Sequence, residues 1–232
     1  MGSLEKIKIS ERERMLTINL KTDAKMPLKI LCLGAHPDDI EIGCGGTILK
    51  LINQHKKHLE VAWVVFSANG EREKEAIKSA HSFLGNVSKK HILTHHYRDG
   101  FLPYYGIEIK DSFESFKKDF SPDIVFTHYR EDRHQDHRLI SDLTWNTYRN
   151  HLILEYEIPK YDGDQGLPNF FVSLDQKTCK QKNKFIIEYF QTQQEKHWLT
   201  EETLISLLRL RGIESGRSSR YAEGFYCRKI TL

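Results

Sequence analysis

The sequence predicts an α/β fold: a three-layer α/β/α sandwich on a mostly parallel sheet, with a C-terminal elaboration that folds back over it. Three observations carry this. Short apolar runs alternate with helically periodic stretches of about 10 to 15 residues, the signature of βαβ units. The run Leu28-Lys29-Ile30-Leu31-Cys32-Leu33 is apolar almost throughout, as a strand covered on both faces has to be. The two clusters richest in reactive side chains, His36-Pro37-Asp38-Asp39 and His134-Gln135-Asp136-His137, each follow a predicted strand. Open α/β sheets gather their chemistry at the carboxyl ends of the strands, and right-handed crossovers make the arrangement Rossmann-like.

Taken in order, residues 4–26 are charged, with a weak apolar pattern at Ile7, Ile9, Leu16, Ile18 and Leu20 that fits an edge strand or a hairpin. The strand over 28–33 leads to a helix over 43–57, where Ile48, Leu51 and Ile52 recur at helical spacing. A second strand over 59–66 precedes a helix over 71–84 with Ala76, Ile77, Ala80, Phe83 and Leu84 on one face; Gly85 closes it. Strands over 91–94 and 123–127 bracket a helix over 107–120, and Pro122 stops that helix because it lacks an amide donor. A helix over 137–150 and a strand over 152–156 follow.

The chain changes character at 159–168, where Asp162-Gly163-Asp164-Gln165-Gly166 is too polar and glycine-rich for either element. A strand over 169–174, helices over 176–191 and 200–211, and a strand over 225–230 complete it. This reads as one domain over 1–232: a core of about 27–157, an elaboration of about 158–232, and an unplaced segment over 1–26.

Composition excludes several classes. The 232 residues, 39% hydrophobic, bury a full core without disulfide staples. A formal charge of +3 with no lysine–arginine block does not suit a nucleic-acid partner. Cys32, Cys44, Cys179 and Cys227 are widely spaced, with no CxxC pair, and read as reduced core residues. No apolar run approaches the roughly 20 residues of a membrane span and no signal-peptide core is visible, so the expected location is the cytoplasm.

Pro37 makes a turn of His36 to Asp39 rather than a helix. A turn can aim His36 and Asp39 at one point while Asp38 faces elsewhere, so that one carboxylate binds a metal and the other works on its water. His137, from the next loop, would be a third ligand. Three N/O ligands and a water are the usual set of catalytic zinc, which lowers the water pKa towards about 7. Blander readings stand beside this one. His-Pro-Asp-Asp also makes a helix-capping turn. Gly43-Cys44-Gly45-Gly46-Thr47 lacks both the dinucleotide spacing and the Walker lysine, and fits a tight helix start better than a phosphate loop. His134 and His137 stand in a charged run where solvated surface is the default.

Together, His36-Pro37-Asp38-Asp39 with Glu41-Ile42-Gly43 and Gly45-Gly46-Thr47 behind it, and Asp136-His137-Arg138 after His134, resemble the zinc-dependent N-acetylglucosaminyl deacetylases of the PIG-L/LmbE family. The resemblance runs over about 28–149, with an echo at Tyr221-Ala222-Glu223-Gly224-Phe225. It implies His36, Asp39 and His137 as zinc ligands, with Fe2+ or Co2+ also suited to two histidines and an aspartate. It implies Asp38 as general base, His134 as the group that orients or protonates the intermediate, and Asp136 as the support of a histidine. Arg72 and Asp99 match substrate-binding positions of relatives. The implied partner is a small N-acetyl amino sugar or its conjugate, with homo-oligomerisation open. Ile40 stands where many relatives have Glu, which leaves the ligands untouched. Hydrolysis of a sugar-linked amide conjugate on the same site, and a metal-free nucleotide-binding module, are the rival expectations.

Overall fold

In the computed structural model, residues 18, 20, 26–55, 58–216 and 219–231 are described. The predicted pattern at Ile7, Ile9 and Leu16 lies outside them. The elements are β1 (Leu28–Gly34), α1 (Asp39–His55), β2 (Leu59–Val65), α2 (Glu71–Leu84), β3 (Lys89–Thr94), α3 (Gly106–Asp119), β4 (Ile124–His128), α4 (Gln135–Thr147), β5 (Leu152–Tyr156), β6 (Phe170–Leu174), α5 (Gln176–Tyr189), α6 (Glu201–Glu214) and β7 (Tyr221–Cys227). They form one seven-stranded sheet in the order β3-β2-β1-β4-β5-β7-β6. The first five strands are parallel, with Leu28 facing Leu59 and Ile30 facing Ile124 across β1's two neighbours.

Alternating side chains explain why both faces of β1 are apolar. Ile30 and Cys32 join the core under α1, α2 and α5, with Trp63, Phe83 and Phe126. Leu31 and Leu33 join the core under α3 and α4, with Ile109, Phe113 and Ile140. Strand order reverses between β1 and β4, and the loops that leave these two strands carry the reactive clusters. That crevice is where the topology of a doubly wound sheet places a ligand.

The elaboration does more than cover a site. β7 pairs antiparallel with β5, and β6 with β7, so it extends the sheet. The loop between β5 and β6 is the part that reaches the reactive cluster.

The helix expected from residue 43 starts at Asp39, so Gly43 to Thr47 lie inside α1 and are not its start. The turn at 36–38 is tighter than Pro37 alone suggests. Asp38 adopts φ 96°, an uncommon region for a residue with a Cβ, and its carbonyl already accepts the amide of Ile42 at 2.9 Å. The glycines serve packing: a Cβ on Gly43 would stand 2.1 Å from the ring of Tyr156, and one on Gly45 2.6 Å from Phe83. Gly43→Ala is therefore expected to destabilise the fold by about 3 kcal/mol through overpacking, read as a lower urea midpoint. An unchanged midpoint would show that Tyr156 can yield.

Inside the same helix, the amides of Gly46 and Thr47 donate to the Glu223 carboxylate at 2.8 and 2.6 Å. Lys182 pairs with Glu223 at 2.6 Å and donates to the Ile42 carbonyl at 2.6 Å. This buried ion pair is hydrogen-bonded throughout, the condition under which burying two charges is tolerated. The amides a phosphate loop would use are thus taken by a carboxylate from β7.

Candidate active site

His36 leaves β1, Asp39 opens α1, and His137 sits in the first turn of α4, three segments brought to the switch point by the parallel pairing of β1 with β4. His36 Nδ1 lies 3.2 Å from His137 Nε2 and 3.4 Å from Asp39 Oδ2, and His137 Nε2 lies 3.5 Å from Asp39 Oδ1. Two donors each about 2.1 Å from a tetrahedral ion stand about 3.4 Å apart, so these spacings fit a small divalent cation. The turn is held by the His36 amide, which donates to Asp39 Oδ2 at 2.6 Å.

Each histidine is oriented from behind. His36 Nε2 lies 3.0 Å from Asp136 Oδ2 and 3.1 Å from Asp99 Oδ1, leaving Nδ1 to face inwards. Asp136 is itself fixed by the amides of Gly100 and Leu102 at 2.8 and 3.1 Å. His137 Nδ1 lies 2.9 Å from Asp132 Oδ2, leaving Nε2 for the centre. Carboxylates behind metal-binding imidazoles set tautomer and ring orientation in this way.

Sequence reasoning missed two residues of this cluster. His128, the last residue of β4, stacks on His137 with ring centroids 3.9 Å apart and comes within 3.3 Å of Asp39 Oδ2. Besides His36, Asp39 and His137, the groups Asp39-His128-His137, His36-His134-His137 and His36-Asp99-Asp136 are each placed to surround an ion. His128 Nε2, however, accepts the Ala35 amide at 3.0 Å, so its lone pair is committed and the set with His36 is the better one. Asp132 was also missed. A histidine at the carboxyl end of a central strand and an aspartate two residues before His134 were the available signals.

Asp38 is buried beside this cluster, and Arg72, from the first turn of α2, donates to Asp38 Oδ2 at 3.2 Å and to the Pro37 carbonyl at 2.5 Å. Arg72 therefore touches the expected base, whereas the resemblance implied contact with substrate. Burial pushes the Asp38 carboxyl up to about 7, with Arg72 pulling it down and Asp39 pushing it up. His134 caps α4: its Nδ1 accepts the Asp136 amide at 3.3 Å, which leaves the neutral ring a proton on Nε2. Burial lowers its pKa, so it is a neutral donor at pH 7. The carboxylate of Asp99 is held at about 2 by its contact with His36, and its side chain stays 69% exposed.

A base must be ionised to work, so activity that depends on Asp38 is expected to fall as pH drops through its pKa. The value of about 7 belongs to the metal-free site, and a bound cation moves the limb lower. Arg72→Ala removes a lowering influence and is expected to shift the acid limb of kcat/KM to higher pH; a shift to lower pH would contradict the contact.

The PIG-L profile, GlcNAc-PI de-N-acetylase, matches residues 31–148 of the 232. The chain belongs to the PIG-L family. Both clusters lie inside the matched stretch. The uncharacterized deacetylase YaiS of Escherichia coli K12 is 29% identical over 160 residues, 63% of this chain and 83% of YaiS. Among solved structures, the N,N'-diacetylchitobiose deacetylase of Pyrococcus horikoshii superposes with TM-score 0.68 at 26% identity, covering 88% of this chain and 85% of that one. GalB of Pseudomonas putida, a 4-carboxy-2-hydroxymuconate hydratase, superposes with TM-score 0.66 at 16% identity over 88% of this chain and 98% of its own. The latter likeness is one of fold alone.

Proposed function

We propose that this PIG-L protein is a zinc-dependent hydrolase that removes the acetyl group from an N-acetylglucosamine-type amino sugar or its conjugate. The observation that carries the reading is the mutual approach of His36 Nδ1, His137 Nε2 and the Asp39 carboxylate to 3.2–3.5 Å, with the raised carboxyl of Asp38 beside them. His36, Asp39 and His137 would hold the ion, which supplies Lewis-acid polarisation and a more acidic water. Asp38 takes the proton of the attacking water. The Nε2–H of His134 donates to the oxyanion that develops on the amide oxygen. The amide C–N bond then breaks, the leaving nitrogen takes the proton Asp38 collected, and acetate and a free amine are released. Asp136 and Asp132 keep the two imidazoles in the tautomers this requires. Arg72 holds Asp38, and Asp99 keeps one carboxylate oxygen for a sugar hydroxyl.

The reading is tested by incubating zinc-loaded protein with free, lipid-linked and nucleotide-linked N-acetyl amino sugars, assaying acetate and primary amine together. Equimolar acetate and amine are expected from at least one of them. Amine release from a larger amide conjugate, without acetate from any acetyl sugar, would favour the amidase. Against the nucleotide-binding rival, Glu223 accepts the amides of Gly46 and Thr47 within α1, which leaves them unavailable to a phosphate.

A further inference from the structure

The loop joining β5 to β6 is tied to the cluster by Lys160 and Asp164. Lys160 Nζ donates to Asp132 Oδ2 at 2.8 Å and to Asp164 Oδ1 at 2.7 Å, and its side chain is 10% exposed. Asp132 Oδ2 is the same oxygen that faces His137 Nδ1, and Asp132 Oδ1 accepts the His134 amide at 2.8 Å. Asp164 returns to the other side of the same segment, accepting the Arg133 amide at 2.6 Å. Glu157 anchors the base of the loop, with Arg211 at 2.9 and 2.8 Å and the Tyr226 hydroxyl at 2.8 Å. Nothing in the sequence motifs includes Lys160.

We infer that Lys160 is a positioning residue: by bridging Asp132 and Asp164 it makes the seat of His137, and the cap at His134, depend on the elaboration outside the matched 31–148. Asp132 is buried and serves two histidines, with Lys160 as its ion-pair partner among the described residues; without Lys160 the carboxylate keeps only the His134 amide and the His137 imidazole, and the geometry that leaves His137 Nε2 pointing at the centre is no longer its best arrangement. The inference rests on the proposed metal-binding role of His137.

The test is competition for Zn2+ between a chromophoric chelator and the full chain as wild type, Lys160→Met, Lys160→Arg and Asp164→Asn, with thermal unfolding measured on each. Lys160→Met is expected to weaken Zn2+ binding about 10- to 100-fold, the range for losing a partner behind a ligand. Lys160→Arg, which keeps the charge, is expected to recover most of this, and Asp164→Asn to lie between. Wild-type affinity in a folded Lys160→Met would overturn the inference while leaving the function intact. If Lys160→Met does not fold, Asp164→Asn decides, and unchanged affinity there overturns it. Failure of the wild type to bind Zn2+ would instead overturn the functional reading on which it rests.

Discussion

Asp38→Asn is expected to lower kcat by about 10²- to 10⁴-fold while leaving zinc binding near the wild-type level. That range is the usual contribution of a positioned base, and Asp38 lies beside the three proposed ligands without being one of them. The substitution keeps shape and the oxygen that faces Arg72, and removes only the group that takes a proton. Stability is expected to move the other way. Burial raises the Asp38 carboxyl to about 7, so the folded chain binds this proton more tightly than the unfolded chain does. Its contribution to stability therefore falls as pH rises from the unfolded value towards 7 and stays unfavourable above it. At pH 8 the metal-free Asn variant is expected to be no less stable than wild type, measured by urea unfolding. A variant that loses activity and stability together would point to collapse of the 36–39 turn rather than to loss of a base.

Removing the metal, or one of its ligands, should have an effect of at least that size. Extended dialysis against a chelator is expected to abolish acetate release, and one equivalent of Zn2+ to restore it. His137→Ala is expected to weaken zinc binding by more than the 10–100-fold typical of losing a hydrogen-bond partner behind a ligand. Chelation should be easier in acid. Asp136, Asp39 and Asp99 outweigh burial and raise the pKa of metal-free His36, so a proton competes with the ion for that ring. Activity that survives exhaustive chelation would rule out the metal.

The parts visible in the sequence were those that local pattern decides. β1, α2 and β5 appear where apolar periodicity puts them, because a strand covered on both faces and an amphipathic helix each write their burial into adjacent residues. His36 and Asp39, two of the three proposed ligands, stand out because a histidine, a proline and two aspartates are an unusual local combination. Other features are made by contacts far apart in the chain. His128 is recognised through the Ala35 amide, 93 residues away, and Glu223 meets Gly46 across 177 residues. α1 starts four residues before Gly43 because its glycines do not mark a helix end: Gly43 and Gly45 admit Tyr156 and Phe83. Asp132 and Lys160 fall in polar loops that composition alone reads as solvated surface.

Titration of chelator-stripped protein with Zn2+, following bound metal and acetate release from an N-acetyl amino sugar in the same samples, bears most directly on the central claim. Acetate release is expected to rise in proportion to bound zinc and to level off at one ion per chain, with His36→Ala and His137→Ala binding weakly and staying inactive. Acetate release by the metal-free chain, or zinc bound at wild-type strength without His36 and His137, would contradict it.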